Sequence, residues 1–235
     1  MLETNHIYCG DSKQLISNIE DNSIDLVVID PPYKISTKTN GKGNLSASVQ
    51  KYTGELERDN LTKEYDKTIL NDLIRVMKKI NIYIWCNGEQ VSYYIDFFVN
   101  QNKCKMEILI WNKINAMPIY SNKYLSDKEY CLYFRKSGYC QPKCYEDAKT
   151  VFQTPINVKD KKQWLHPTIK PLPIIRKLIR NSTKEGDLVL DCFLGSGTTA
   201  VACILENRKY IGIELNEKYY DIAQRRIKET EGDRR

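Results

Sequence analysis

The run Leu188-Val189-Leu190-Asp191-Cys192-Phe193-Leu194-Gly195-Ser196-Gly197-Thr198-Thr199-Ala200 constrains the fold more than any other stretch of this chain. An apolar strand enters a glycine turn, and a helix leaves it near Thr198 and continues through Leu205. A second strand follows, Lys209-Tyr210-Ile211-Gly212-Ile213-Glu214. Strand, helix and strand in this order form a parallel crossover, which is right-handed almost without exception. The glycines let the backbone turn tightly and approach a ligand without a Cβ clash. The amides and dipole at the helix start favour a nearby carboxylate or phosphate. Glu214 ends its strand about 20 residues after the glycines, the spacing of an acid that binds ribose hydroxyls.

A second motif follows another buried strand, Ile24-Asp25-Leu26-Val27-Val28-Ile29. Asp30-Pro31-Pro32-Tyr33 sits where that strand ends, at the sheet edge where ligands bind in open parallel sheets. The two prolines remove two backbone donors and fix φ, so acceptors dominate the corner. Asp30 and the Pro31 carbonyl can accept hydrogen bonds from an exocyclic amine, and Tyr33 offers a face for stacking. This corner suits a planar ring that bears an amino group. Gly195-Ser196-Gly197-Thr198-Thr199-Ala200 alone also fits the dinucleotide fingerprint G-x-G-x-x-A, which leaves a nicotinamide or flavin enzyme as a competitor. Asp191 and Phe193 ahead of the glycines argue against it, and the Asp-Pro-Pro-Tyr corner has no task in hydride transfer. A ribose-binding acid, a glycine turn and an amine clamp together fit S-adenosylmethionine and an amino-bearing substrate.

These motifs, in this order, resemble those of the DNA amino-methyltransferases that act on exocyclic nitrogens, in the permuted arrangement called the beta class. Further segments match. His6-Ile7-Tyr8-Cys9-Gly10-Asp11-Ser12 resembles the strand and acidic turn over the cofactor adenine, and Trp111-Asn112-Lys113 a segment beside the target base. His166-Pro167-Thr168-Ile169-Lys170-Pro171 resembles the entry to the helix before the glycine motif. The resemblance spans nearly the whole chain and implies an α/β, Rossmann-like methyltransferase fold, a mainly parallel sheet with helices on both faces. It implies S-adenosyl-L-methionine as cofactor. The cofactor residues would be Asp11, Ser12, His166, Thr168, Asp191, Phe193, Gly195, Ser196, Gly197, Thr198 and Glu214; the catalytic residues would be Asp30, Pro31, Pro32 and Tyr33. It implies double-stranded DNA as partner, with the target base flipped out of the duplex. A cognate restriction endonuclease and a homodimer are further candidate partners. In the family an Asp at the first position of the proline motif goes mostly with adenine N6, and Ser mostly with cytosine N4. Adenine N6 is therefore the expected target, with cytosine N4, RNA adenine and an inactive nucleic-acid-binding subunit as the alternatives.

Composition agrees. A chain of 235 residues builds one substantial core, here a single catalytic domain over residues 1–235. The start, Met1-Leu2-Glu3-Thr4-Asn5, lacks the basic and apolar regions of a signal peptide. No run of about eighteen apolar residues suggests a membrane span, so a cytoplasmic enzyme is expected. Eight cysteines are scattered without paired C-x-x-C spacing, so no metal site is expected. The net charge of +6 suits a polyanionic partner. Residues 112–165 carry ten Lys or Arg against five Asp or Glu, interleaved with tyrosines, and the segment at about 115–165 reads as a small target-recognition insertion. Residues 34–60 are polar and glycine-containing and read as a long mobile loop.

Overall fold

The computed structural model describes residues 1–33, 65–118 and 124–234, together with Gly54, Tyr120 and Asn122. The loop expected at about 34–60 lies outside the described residues apart from Gly54.

Eight strands form one sheet: β1 His6–Cys9, β2 Leu26–Ile29, β3 Ile80–Cys86, β4 Lys105–Lys113, β5 Lys128–Lys136, β6 Val151–Thr154, β7 Leu188–Asp191 and β8 Lys209–Glu214. Their order across the sheet is β1-β8-β7-β2-β3-β5-β4-β6. β5 runs against both of its neighbours, and the other pairings are parallel. The mainly parallel sheet therefore carries its site-bearing carboxyl ends on one edge.

Alternation along the strands divides the core between the two faces. Val27, Ile29, Ile82 and Ile84 face one side with Ile69, Leu73 and Val76 of helix α2, Ile69–Val76, which follows α1, Ser12–Leu15. Leu26, Val28, Tyr83 and Trp85 face the other. There they meet Ile175 and Ile179 of α6, Leu172–Ser182, and Ala200 and Cys203 of α7, Thr198–Leu205. Burial on both faces explains why these strands read as continuous apolar runs. Further α-helices among the described residues are α3, Val91–Ile95, α4, Tyr145–Ala148, α5, Val158–Trp164, and α8, Glu217–Gly232.

The two crossovers diverge at the middle of the sheet. From β2 the chain passes over one face through α2 to β3, while from β7 it passes over the other through α7 to β8. β2 and β7 are neighbours, with Leu26 opposite Val189 and Val27 opposite Leu190. Such a switch point opens a crevice beyond the strand ends, and Asp30 and Asp191 stand on its two sides.

α2 stops at Val76 because Met77 turns extended and bridges Ile24. The helix over Val91–Ile95 continues as a π-helix over Asp96–Gln101. Much of the expected insertion belongs to the main sheet, since β5 lies between β3 and β4 and β6 pairs with β4. Among the described residues, no helix is long and apolar enough to cross a membrane, and no group of three His, Cys, Asp or Glu is placed to hold a metal ion. All eight cysteines are free.

Candidate active site

A cavity of about 580 Å³ opens at the carboxyl edge over β2 and β7, within the usual range for small-ligand sites. Of the sequence-derived residues, it brings together Asp11, Ser12, Asp30, Pro32, His166, Thr168, Asp191, Phe193, Gly195, Ser196, Thr198 and Glu214. Pro31, Tyr33 and Gly197 are not among its lining residues. Pro31 is buried beneath the corner, and Tyr33 packs against the core of the second face. Gly197 serves the turn: its φ of +83° is left-handed, and a Cβ there would lie 2.9 Å from the Cβ of Ala223 on α8.

Side chains organise the glycine turn from three sides. Asp191 Oδ1 accepts the Phe193 amide at 3.0 Å, an Asx-type turn. Burial pushes the Asp191 carboxyl up to about 7, against the donors of Thr199 and Phe193. Glu214 accepts the Gly195 amide on one oxygen at 2.6 Å and the Asn216 amide on the other at 2.8 Å. Burial raises its pKa, and these amides oppose the rise. Arg226, 5 % exposed on α8, donates to the Ser196 carbonyl at 2.8 Å, to Ser196 Oγ at 2.8 Å and to Thr198 Oγ1 at 3.0 Å. With their lone pairs engaged by the guanidinium, both hydroxyls keep their protons to donate. Sequence reasoning missed Arg226, which lies 28 residues beyond Thr198 with no local motif.

Gly195, at φ +55°, is held close to His166: a Cβ there would lie 3.2 Å from His166 Nε2. Burial, followed by the charges of Lys170 and Arg226, lowers the His166 pKa to about 3, so the ring is neutral at pH 7. Its Nδ1 accepts the Thr168 amide at 3.3 Å, so the ring proton sits on Nε2. Among the described residues, that Nε2 is buried without a protein acceptor, as is Nε1 of Trp85, another lining residue. Two orphaned donors in one cavity wall call for a ligand with acceptors.

At the other end, Asp30 has a donor on each oxygen. The Tyr33 hydroxyl donates to Oδ1 at 2.7 Å, and Lys170 Nζ donates to Oδ2. Five carboxyl-bearing side chains line the cavity, Asp11, Asp30, Asp66, Asp191 and Glu214, against two lysines, Lys13 and Lys170. Both lysines are themselves ion-paired, Lys13 with Asp72 and Lys170 with Asp30 and Glu129. Such a cavity favours a cationic ligand. S-adenosylmethionine fits such a cavity: it is a cation, Glu214 would meet its ribose hydroxyls, and the hydroxyls of Ser196 and Thr198 and the helix start would meet its carboxylate.

Known proteins agree with this geometry. The family model described as DNA methylase matches residues 24–225. The type II methyltransferase M2.MboI of Moraxella bovis is 32% identical, covering 95% of this chain and 88% of that protein. M.HinfI of Haemophilus influenzae is 30% identical over 96% of this chain and 68% of its own length. Among solved structures, the M1.HpyAVI–SAM complex superposes with a TM-score of 0.62 at 26% identity, covering 94% of this chain and 98% of the other. The cytosine-N4-specific PvuII DNA methyltransferase shares the fold, with a TM-score of 0.70 at 18% identity, over 94% of this chain and 85% of that one. A permuted motif order, one crevice joining the proline corner to the glycine turn, and relatives spanning nearly the whole chain lead to one conclusion: this protein belongs to the DNA methylase family, the beta-class amino-methyltransferases of adenine N6 and cytosine N4.

Proposed function

We propose that this enzyme transfers a methyl group from S-adenosylmethionine to the exocyclic N6 of adenine in a base flipped out of double-stranded DNA. The observation that carries the reading is the shared cavity, lined both by the cofactor-type residues Glu214, Gly195 and His166 and by Asp30. Bound there, the cofactor would supply an electrophilic methyl on a sulfonium. The protein's own part is positioning and charge. The Tyr33 hydroxyl on Asp30 Oδ1 occupies the place that an amine N–H would take. With a hydrogen bond from the amine to Asp30, the nitrogen becomes more tetrahedral and its lone pair turns toward the methyl. The positive charge that develops on nitrogen is stabilised by the carboxylate, and the in-line geometry supplies much of the rate. No covalent intermediate with the enzyme is needed.

The duplex would reach this edge over the connection from β4 to β5. β4 runs parallel to β2, so the connection from β4 to β5 begins at the site's own side of the sheet. It starts at Lys113, which pairs with Glu129 at 2.6 Å, and carries the exposed Ile114, Met117, Tyr120 and Tyr124. This apolar and aromatic stretch lies within the segment of ten basic and five acidic residues at 112–165. We assign target recognition to it, by phosphate contact and by stacking. The test is expression in a methylation-free host followed by sequencing of modified bases. N6-methyladenine at one short sequence supports the proposal; N4-methylcytosine would move the assignment to the cytosine branch, and unmodified DNA would refute it.

A further inference from the structure

The motifs account for Asp30 but not for what holds it. Lys170 is 7 % exposed and lies 140 residues from Asp30 in sequence. Its ammonium donates to Asp30 Oδ2, stands 3.2 Å from Glu129 Oε2 and 3.4 Å from the Tyr33 hydroxyl, and lies 5.2 Å from the ring centre of Trp85. Glu129 in turn pairs with Lys113 at 2.6 Å. Charges therefore alternate, Asp30, Lys170, Glu129, Lys113, from the end of β2 across the entry to α6 and onto β5 and β4. An ion chain with this little solvent is costly to build from separate elements, and the fold assembles it beside the reacting group.

We propose that Lys170 is the positioning residue of methyl transfer, its ammonium anchoring Asp30 Oδ2 in the ionised form so that Oδ1 is left to accept the target amine, with Glu129, itself paired with Lys113, holding the ammonium. This inference rests on the methyl-transfer reading above. The two oxygens differ in how easily they can be freed. Oδ1 is held by one neutral phenol, which an entering amine can displace. Oδ2 is held by a charge that is itself fixed by a second carboxylate and two aromatic rings, and charge-assisted bonds are the stronger kind. Ionisation matters as much as direction, because a protonated Asp30 would offer an O–H where the amine needs a lone pair.

The surroundings raise the Asp30 pKa even with Lys170 in place, and Lys170 is the strongest influence that holds it down. Burial raises its pKa most, and Glu129 on β5 raises it further. Lys170 opposes both through charge and hydrogen bond, and Tyr33 adds a hydrogen bond in the same direction. Asp191 on β7 also faces it, and the charge of Asp30 helps to raise the Asp191 pKa. Cys86 on β3, Cys131 on β5 and Tyr94 on α3 face it as well, and burial keeps all three neutral. Lys170 is thus the cation that decides the state of Asp30. Glu129 shares that cation, so the ammonium does not cancel the charge needed opposite the developing ammonium on the target.

The test is the pH profile of methyl transfer at saturating duplex and cofactor, with cofactor affinity read by calorimetry on each variant. In Lys170→Met the acid limb should move to higher pH by about one to three pH units, the effect of losing one opposite charge at contact distance, and rate should return on the alkaline side. Lys170→Arg keeps the charge and should hold the limb near that of the parent. Glu129→Gln removes a charge that favours protonation and should move the limb to lower pH. A Lys170→Met enzyme slowed equally at every pH would overturn the proposal by reducing Lys170 to a structural role. If Lys170→Met fails to bind cofactor, Glu129→Gln decides: a limb at lower pH supports the proposal, and an unmoved limb overturns it. A parent chain that methylates DNA separates these results from failure of the functional reading, since a parent without methyl transfer would overturn both.

Discussion

Asp191 ties the stability of the free enzyme to pH in a way that one substitution isolates. Its carboxyl, 5 % exposed at the end of β7, is pushed by burial from an ordinary 3.8 to about 7. The folded protein therefore holds a proton that the unfolded chain gives up. Below 3.8 both states hold it, and Asp191 costs the fold nothing. As pH rises from 3.8 to about 7 the unfolded chain releases the proton first, so stability falls through this window. Above about 7 both states are ionised and the penalty is constant. At about 1.4 kcal/mol per pH unit, the full penalty is on the order of 4 kcal/mol. Asp191→Asn keeps an acceptor for the Phe193 amide, now at 3.0 Å, and removes the titration. The variant should match the parent near the acid end of the window and exceed it by up to ~4 kcal/mol above it. Denaturant unfolding of cofactor-free parent and variant, compared at each pH, measures the difference. Parallel curves for the two proteins would refute the reasoning, because Asp191 would then be ionised at no cost to the fold.

Three further outcomes follow from the site. Asp30→Ala should abolish methyl transfer while leaving most cofactor affinity, and near-parental turnover with labelled cofactor would remove Asp30 from the mechanism. Glu214→Ala should weaken S-adenosylmethionine binding by about 1.5–3 kcal/mol, partly through the loosened Gly195 turn; calorimetry showing tight NAD binding and no S-adenosylmethionine binding would restore the dehydrogenase alternative. Arg226→Leu leaves the Ser196 carbonyl and the hydroxyls of Ser196 and Thr198 without their donor and should cost about 1.5–3 kcal/mol of stability, read by denaturant unfolding. An unchanged unfolding midpoint would mean that the guanidinium does not brace the turn.

What the sequence by itself determined is local. The glycine turn, the proline corner and the acid at the end of β8 are each written in a few contiguous residues, because a turn between a strand and a helix is made by neighbours along the chain. Apolar runs located β2, β7 and β8 for the same reason: a strand buried on both faces has a continuous signature. β6 escaped because it is four residues long and only Phe152 within it is buried. α5 escaped because it buries no side chain. Tertiary structure alone decided the rest. It placed β5 between β3 and β4, so that Glu129, opposite Trp111 on β4, comes beside a lysine far away in sequence. It gave Gly197 to helix packing instead of to the cavity wall. It brought Arg226 under the glycine turn and Lys170 against Asp30. Each of these depends on two or more separated segments meeting in space, and the charge of a lysine or arginine in sequence says nothing of which buried carboxylate or carbonyl it will face.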